Sequence, residues 1–366
     1  MRAFRPGHSR QKEEMSMGLE NEAVLSYLED NGRFADLFNQ LYFKGKQVVE
    51  AGDLLDASEV YHGKPGEKSG QRTRDIKKRL KSGKELKILA LESQNEVNYI
   101  MPWRVMDYDC REYGKQIREA QRINNERAKA GESIYESAGE RLSKVRKAER
   151  FAPVYTLCLY HGMDPWDGPR SLKDMMEFGD EQTGNGDAKE WVEGFADYPL
   201  RLVSVGEPMD CSGFRTSLRD LFTILPYRRD KKQLKELLNT DPAYQEMDEE
   251  TARTISVLMG IKKFREKEEN YRTEEGKYNM CQAIQEMMED SRLEGISEGE
   301  LRGEARGIIR GETQGSARQI IEIIDNIMRE LHCSLEKACK VGGKTLDQYH
   351  QAKAVFRKVS NRGGEV

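Results

Sequence analysis

The sequence predicts an α/β protein, on the basis of two apolar runs separated by a long polar stretch. The runs are KILALESQ at 87–94 and PVYTLCLYHG at 153–162. Their length and their apolar, β-branched and aromatic content are typical of strands buried in a sheet. The stretch from about 105 to 148 is predicted to be mostly helical, with a break near Gly131. A helical connection of this length favours a parallel pair of strands.

Further elements are expected on both sides of this pair. Residues 20–43 have the apolar spacing of an amphipathic helix, and the segment 60–70 (YHGKPGEKSGQ) predicts a loop. LRLVSVGE at 200–207 is a candidate further strand. Additional helices are expected at about 213–224, 230–238 and 249–265. We therefore expect a disordered tail at 1–19, followed by one domain at 20–265.

Composition excludes several classes of protein. Charged residues make up 34% of the 366 residues and the net charge is −4, which excludes a uniformly basic nucleic-acid coat but permits a local basic patch. No run approaches 18 apolar residues, and the first residues lack the apolar core of a signal peptide. The six cysteines contain no CxxC pair, and the histidines lack zinc-ligand spacing. We expect a reduced, cytoplasmic protein without a membrane partner.

Positive charge is concentrated on both sides of the first apolar run. Residues 71–87 carry eight basic side chains against Asp75 and Glu85, and residues 111–150 carry eleven against seven acidic ones. A charge run usually marks a solvated helix face. Two such runs flanking a candidate acidic site also fit a partner with a phosphate backbone, such as DNA.

Acidic and amide side chains stand at the end of the first apolar run. Glu92 and Gln94 point to the same side because side chains alternate along a strand. A carboxylate at the end of a buried strand costs free energy unless it is paired or bound to a cation. The strand therefore either surfaces here or holds a metal. With Asp75 seventeen positions upstream, two carboxylates and a polar group could hold Mg²⁺ and position a water, a pattern that also arises often by chance in a charged protein.

Longer motifs extend well beyond these three residues. The chain resembles the Rpn family of recombination-promoting nucleases, also called putative transposases, of the PD-(D/E)XK nuclease superfamily. The resemblance covers roughly residues 25–265. The matching stretches are FADLFNQLYFKGKQVV at 34–49, RTRDIKK at 72–78, LALESQNEVNYIMPWRVMDYDCREY at 89–113, PVYTLCLYHGMDPWDGPRSLKDMM at 153–176 and FRTSLRDLFTILPYRRDKKQLKELL at 214–238.

This resemblance implies a restriction-endonuclease-like α-β-β-β-α-β core with Asp75, Glu92 and Gln94 as its catalytic residues. Asp75 and Glu92 would hold Mg²⁺ or Mn²⁺, with the Ser93 carbonyl as a third ligand. Gln94 stands where the superfamily usually has a lysine, although the Rpn family shows this glutamine. An amide cannot carry charge or act as a base, but it can orient water. Asp36, on the first helix, is a candidate additional acid, or else an N-terminal helix carboxylate or a simple surface charge.

The expected partner is DNA. Arg104 and Tyr108 lie just beyond the ExQ strand, where Arg104 could contact the DNA backbone or form a local salt bridge. The basic run adds further candidate contacts, which are Arg72, Arg74, Lys77 and Lys78. The resemblance implies a metal-dependent DNA endonuclease acting in recombination or mobile-element biology. The alternative is a catalytically silent nuclease fold that binds DNA or protein and has a helical oligomerisation tail.

The C-terminal third contains a glycine every four residues, at positions 295, 299, 303, 307, 311 and 315. Glycine lowers helix stability by about 1 kcal/mol per residue relative to alanine. The segment 266–315 is therefore either a closely packed helix that self-associates or a flexible linker. After it, Ser316 and Gln319 form a capping-box pattern before an apolar stripe. This predicts a small helical module at 316–360 that serves in docking or oligomerisation.

Overall fold

The structure is a computed structural model that describes residues 7–56, 75–82, 85–178, 188–261 and 264–360. The predicted loop at 60–70 and two candidate DNA contacts, Arg72 and Arg74, lie outside these residues. The chain divides into two compact units, Met1–Gln285 and Glu286–Val366. The first unit contains the sheet and the second is helical.

The described residues of the first unit form a five-stranded mixed sheet in the order β1-β2-β3-β4-β5. β1 pairs antiparallel with β2 and β2 antiparallel with β3, whereas β3 with β4 and β4 with β5 are parallel pairs. The α/β class and the parallel pairing of the two apolar runs are thereby confirmed. The strands are β1 Leu54–Asp56, β2 Ile76–Ser82, β3 Glu85–Gln94, β4 Val154–Tyr160 and β5 Leu202–Ser204.

Helices precede, connect and follow these strands. In the first unit they are α1 Gly7–Leu28, α2 Asn31–Leu37, α3 Met101–Lys129, α4 Ala138–Ser143, α5 Ala188–Gly194, α6 Leu218–Ile224, α7 Lys231–Thr240 and α8 Glu249–Leu258. Helix α9 (Met280–Glu330) begins in this unit and continues into the second, where α10 (Leu335–Val341) and α11 (Leu346–Ser360) follow. No helix of the described chain is both long enough and apolar enough to cross a membrane.

The N-terminal region differs from the prediction. Helix α1 already begins at Gly7, inside the segment 1–19 that was expected to be disordered. The single helix predicted at 20–43 is interrupted, because the Asp30 side chain accepts a hydrogen bond from the Arg33 backbone N–H at 2.9 Å and caps a new helix, α2. A π-helical turn follows at Phe38–Tyr42.

Side chains on β2 and β3 alternate between two covered faces of the sheet. Lys77 and Glu92 lie on one face, against α3, where the Lys77 ammonium meets Glu112. Lys78 lies on the other face and bonds to Asn31 at the start of α2. The core beside α3 consists of Met101, Val105, Cys158, Tyr160, Trp166 and Leu200.

The second unit is a small helical assembly. Its core consists of Ile324 from α9, Ala338 and Cys339 from α10 and Tyr349 from α11. Helix α9 continues through Ser316, so the new helix start predicted by the capping box does not occur. The glycine repeat is helical throughout, which agrees with the helical alternative for this segment.

Candidate functional site

The candidate site lies where β2 begins and β3 ends. Because the two strands are antiparallel, with Ile76 opposite Leu91, residues just before β2 meet the last residues of β3. Asp75 precedes β2, and its Oδ2 accepts a hydrogen bond from the Ser93 backbone N–H at 2.7 Å. The structure thus brings Asp75 next to the Glu92-Ser93-Gln94 segment.

Glu92 is the buried carboxylate of this site. It is fully buried and lies opposite Cys158 of β4. Arg104, in the first turn of α3, donates from Nη2 to Glu92 Oε2 at 3.4 Å and from Nε to Tyr108 Oη at 3.2 Å. Its guanidinium also lies 5.6 Å from the centre of the Tyr108 ring. Arg104 therefore forms a local salt bridge with Glu92, which is one of its two predicted roles.

The ionisable groups of the site affect one another. Burial raises the pKa of Asp75, although the Ser93 N–H bond and the charge of Arg104 oppose the rise. Burial lowers the pKa of Arg104, but its bond to Tyr108 and the charges of Glu92 and Asp75 raise it, and the net direction is upward. Burial and then the charge of Glu92 raise the pKa of the Cys158 thiol, which therefore stays protonated at neutral pH. The two acids and one guanidinium form a single electrostatic unit.

Gln94 is held at the same edge of the sheet. Its Nε2 donates to the Ser93 carbonyl oxygen at 2.7 Å, so the expected carbonyl ligand and the amide are already in contact. Carboxylate and carbonyl oxygens are the hard ligands that Mg²⁺ prefers, and the residues present therefore fit such an ion. Among the described residues no three His, Cys, Asp or Glu side chains cluster closely enough to hold a metal by themselves. Water or a substrate phosphate would have to complete the shell, as is usual for Mg²⁺.

Lys77 and Lys78 do not present their charges to a DNA partner. Lys77 is buried and its Nζ lies 3.1 Å from Glu112 Oε2. Lys78 is 2% exposed, and its Nζ donates to the Glu29 carbonyl at 2.7 Å and to Asn31 and Asp56 side chains at 2.7 and 2.9 Å. The two ammonium groups are occupied inside the protein. We therefore remove both lysines from the candidate DNA contacts.

Asp36 has a structural partner. Its Oδ2 accepts hydrogen bonds from the Arg215 and Thr216 backbone N–H groups and from the Thr216 hydroxyl, each at 2.8 Å. The other oxygen, Oδ1, is buried without a hydrogen-bond partner in the described chain. Asp36 therefore anchors the segment before α6, and because its side chain is buried it is not a simple surface charge.

Sequence reasoning missed one residue at this edge of the sheet. His161 follows β4, and its backbone N–H donates to the Gln94 carbonyl at 2.9 Å. Burial, together with the charge of Arg228, lowers the pKa of the imidazole to about 4, and its Nε2 lies 3.4 Å from Asn21 Oδ1. The sequence could have indicated His161, because it stands in the YHG that ends the second apolar run. The carboxyl ends of parallel strands meet at one edge of a sheet, so a residue after β4 lies near the end of β3.

Comparison of the chain with protein-family models, with curated proteins and with solved structures finds no match in any of the three.

Proposed function

We propose that this protein is a metal-dependent DNA endonuclease that hydrolyses phosphodiester bonds and acts in recombination or mobile-element biology. The observation that carries the proposal is the convergence of Asp75, Glu92 and Gln94 at one edge of the sheet, joined by the bond from Ser93 N–H to Asp75. The order of the described elements also agrees with a PD-(D/E)XK core. Helices α1 and α2 precede β1, β2 and β3, and α3 then leads to β4.

The chain's own groups have distinct tasks in this mechanism. Asp75, Glu92 and the Ser93 carbonyl would hold Mg²⁺ or Mn²⁺, which when bound acidifies a water and stabilises charge on a phosphate. Gln94 orients the attacking water through its amide. Arg104 supplies a guanidinium that can form charge-assisted hydrogen bonds with a phosphate oxygen. Because the pKa of Asp75 is raised, cleavage should weaken in acid, as the carboxylate gains a proton.

A second candidate function is a silent nuclease fold that binds DNA or protein and self-associates through its C-terminal region. Helix α9 favours this alternative because large apolar side chains along the glycine repeat are exposed. They are Leu293, Ile296, Leu301, Ile308 and Ile309. The complete set of Asp75, Glu92 and Gln94 favours catalysis. Both functions are compatible with a homo-oligomer.

A plasmid-cleavage assay with Mg²⁺, Mn²⁺, Ca²⁺ or EDTA tests the proposal. We expect nicking or linearisation with Mg²⁺ or Mn²⁺, and none with EDTA. Asp75→Ala should remove this cleavage without loss of thermal stability, because burial disfavours the charged form of Asp75 in the absence of metal. Glu119→Ala, on the exposed surface of α3, is the matched control and should cleave like the parent. Cleavage by Asp75→Ala equal to that of the parent would contradict the proposed site.

Substitution of Gln94 separates water positioning from base chemistry. Gln94→Lys should retain appreciable cleavage because lysine occupies this position in related nucleases. Gln94→Leu should be nearly inactive because it has no polar group with which to orient water. Equal activity of the leucine variant and the parent would show that Gln94 is not catalytic.

A further inference from the structure

Arg104 lies at the rim of the candidate site, where it contacts Glu92 and its charge acts on Asp75. Its side chain is 26% exposed, whereas that of Glu92 is 0% exposed. Nη2 lies 3.4 Å from Glu92 Oε2, and the charge of the same guanidinium also acts on Asp75. One cationic group therefore acts on two carboxylates, one just before β2 and the other near the end of β3.

The guanidinium is held mainly by its own helix. Charge-assisted hydrogen bonds between guanidinium and carboxylate are usually about 2.7–2.9 Å long, so the 3.4 Å contact with Glu92 is a long one. Tyr108, one turn further along α3, accepts from Nε at 3.2 Å and places its ring 5.6 Å from the guanidinium carbon. These contacts hold Arg104 beside Glu92, and the ion-pair contact between them is long.

We propose that Arg104 is a displaceable counter-ion. In the metal-free protein it balances Asp75 and Glu92, and a divalent cation bound by the same two carboxylates takes over that task. The guanidinium, still held near the site by Tyr108, is then available to a DNA phosphate. This inference rests on the proposed metal site and adds a competition between arginine and metal to it.

The competition predicts opposite effects of Arg104 on two ligands. A neighbouring like charge disfavours a cation, so loss of the guanidinium should strengthen binding of the metal alone, by about tenfold or more. Loss of the same group should weaken DNA binding, because a phosphate contact disappears. An arginine that only held the carboxylates in place would have the contrary effect on the metal.

The experiment is a calorimetric titration of the full chain with Mn²⁺ at pH 8, without DNA. Arg104→Gln removes the charge at the site. The matched control is Arg111→Gln on the same helix, where the arginine pairs with Asp107 on the exposed surface. We expect tighter Mn²⁺ binding only in Arg104→Gln, and weaker binding of a DNA duplex by that variant in Ca²⁺. Unchanged or weaker Mn²⁺ binding by Arg104→Gln would overturn the proposal.

Two further outcomes are informative. If the parent binds no Mn²⁺, the proposed metal site and the counter-ion role both fail, whereas a parent that binds Mn²⁺ without a gain in the variant contradicts the counter-ion role alone. If Arg104→Gln does not fold without metal, Arg104→Lys replaces it in the titration. Its ammonium lacks the guanidinium bond to Tyr108 and is displaced more easily, so a smaller gain in Mn²⁺ affinity is expected, and no gain would overturn the proposal.

Discussion

Two glycines of the first unit, Gly162 and Gly206, and the six repeat glycines of α9 have opposite environments. In the first unit, a Cβ on Gly206 would lie 2.6 Å from the Gly162 carbonyl oxygen, and one on Gly162 would lie 2.5 Å from the Asn95 carbonyl oxygen. In α9, a Cβ on any of the six repeat glycines meets no atom of the described chain within 4 Å. Close approach of backbones explains the first group. No contact of the described residues requires glycine at the six repeat positions. Either packing against a partner or the genetic origin of the repeat therefore explains these glycines.

Charged side chains around the candidate site and those of α9 differ in the same way. In the first unit, Lys77 and Glu112 form a buried pair and Glu92 is enclosed beside Arg104. In α9, Arg302 and Glu298 form a pair at 3.4 Å whose side chains are 72% and 70% exposed. Exposed pairs of this kind contribute about 0–1 kcal/mol. Charge therefore positions side chains beside the sheet, whereas the exposed pair of α9 contributes little to stability.

The largest expected difference concerns catalysis. Glu92→Gln removes a buried charge while preserving shape, so Mg²⁺-dependent plasmid cleavage should fall to background. Glu298→Gln makes the same chemical change on the exposed surface of α9 and should leave the rate unchanged. A cleavage time course for both purified variants checks this, and equal loss in both would remove the distinction between the units.

Breaking a buried pair should cost more than breaking an exposed one. Lys77→Met leaves the buried Glu112 without its ammonium partner, and such changes cost about 3–5 kcal/mol of unfolding free energy. Arg302→Met should cost less than about 0.5 kcal/mol. Urea unfolding followed by tryptophan fluorescence measures the effect of Lys77→Met, because the three tryptophans, at 103, 166 and 191, all lie in the first unit. Urea unfolding followed by circular dichroism measures the effect of Arg302→Met in α9. A small effect of Lys77→Met would show that the buried pair is dispensable.

His161 should make the first unit sensitive to acid. Its folded pKa is about 4 against an ordinary value of 6.5, so between these values the unfolded state binds a proton that the folded state does not. Stability therefore falls as pH drops through this window, by up to about 3 kcal/mol. His161→Gln should lose less stability than the parent between pH 7.5 and 4. Parallel pH profiles from urea unfolding would contradict the buried neutral imidazole.

Adding a methyl group should change stability in opposite directions at Gly206 and at Gly303. Gly206→Ala forces a Cβ against a backbone oxygen and should destabilise the first unit by about 1–3 kcal/mol. Gly303→Ala meets open space and should raise helix stability by about 1 kcal/mol. Urea unfolding monitored by tryptophan fluorescence measures the first change, and circular dichroism measures helix content for the second. A stabilising Gly206→Ala would contradict the close approach.

The smallest expected effect on the stability of one chain comes from a double substitution that tests the function of the glycine repeat. If the glycine stripe packs against a second copy, Gly303→Ala combined with Gly307→Ala should weaken self-association, because the methyl groups separate the two backbones. Sedimentation of the double variant and the parent measures the association constant. An unchanged constant with increased helix content would show that the stripe is not a packing surface.

Local patterns in the sequence were enough to predict the strands that carry the candidate site. The runs at 87–94 and 153–162 correspond to β3 and β4, and their parallel pairing followed from the long helical connection between them. The proximity of Asp75 to Glu92 and Gln94 was expected from the motif, and the bond between Asp75 and Ser93 N–H agrees with it. These features depend on alternation along a strand and on chain connectivity, both of which can be read from the sequence.

Tertiary structure alone decided which charged and polar groups are buried and with what partners. Lys77 and Lys78 belong to a basic run in the sequence, yet the two faces of the sheet place them against Glu112 and against Asn31. Asp36 bonds to a segment about 180 positions away. Composition reports how many charges a chain has, but a partner is fixed only when distant segments pack together, because burial and hydrogen bonding are properties of that packing.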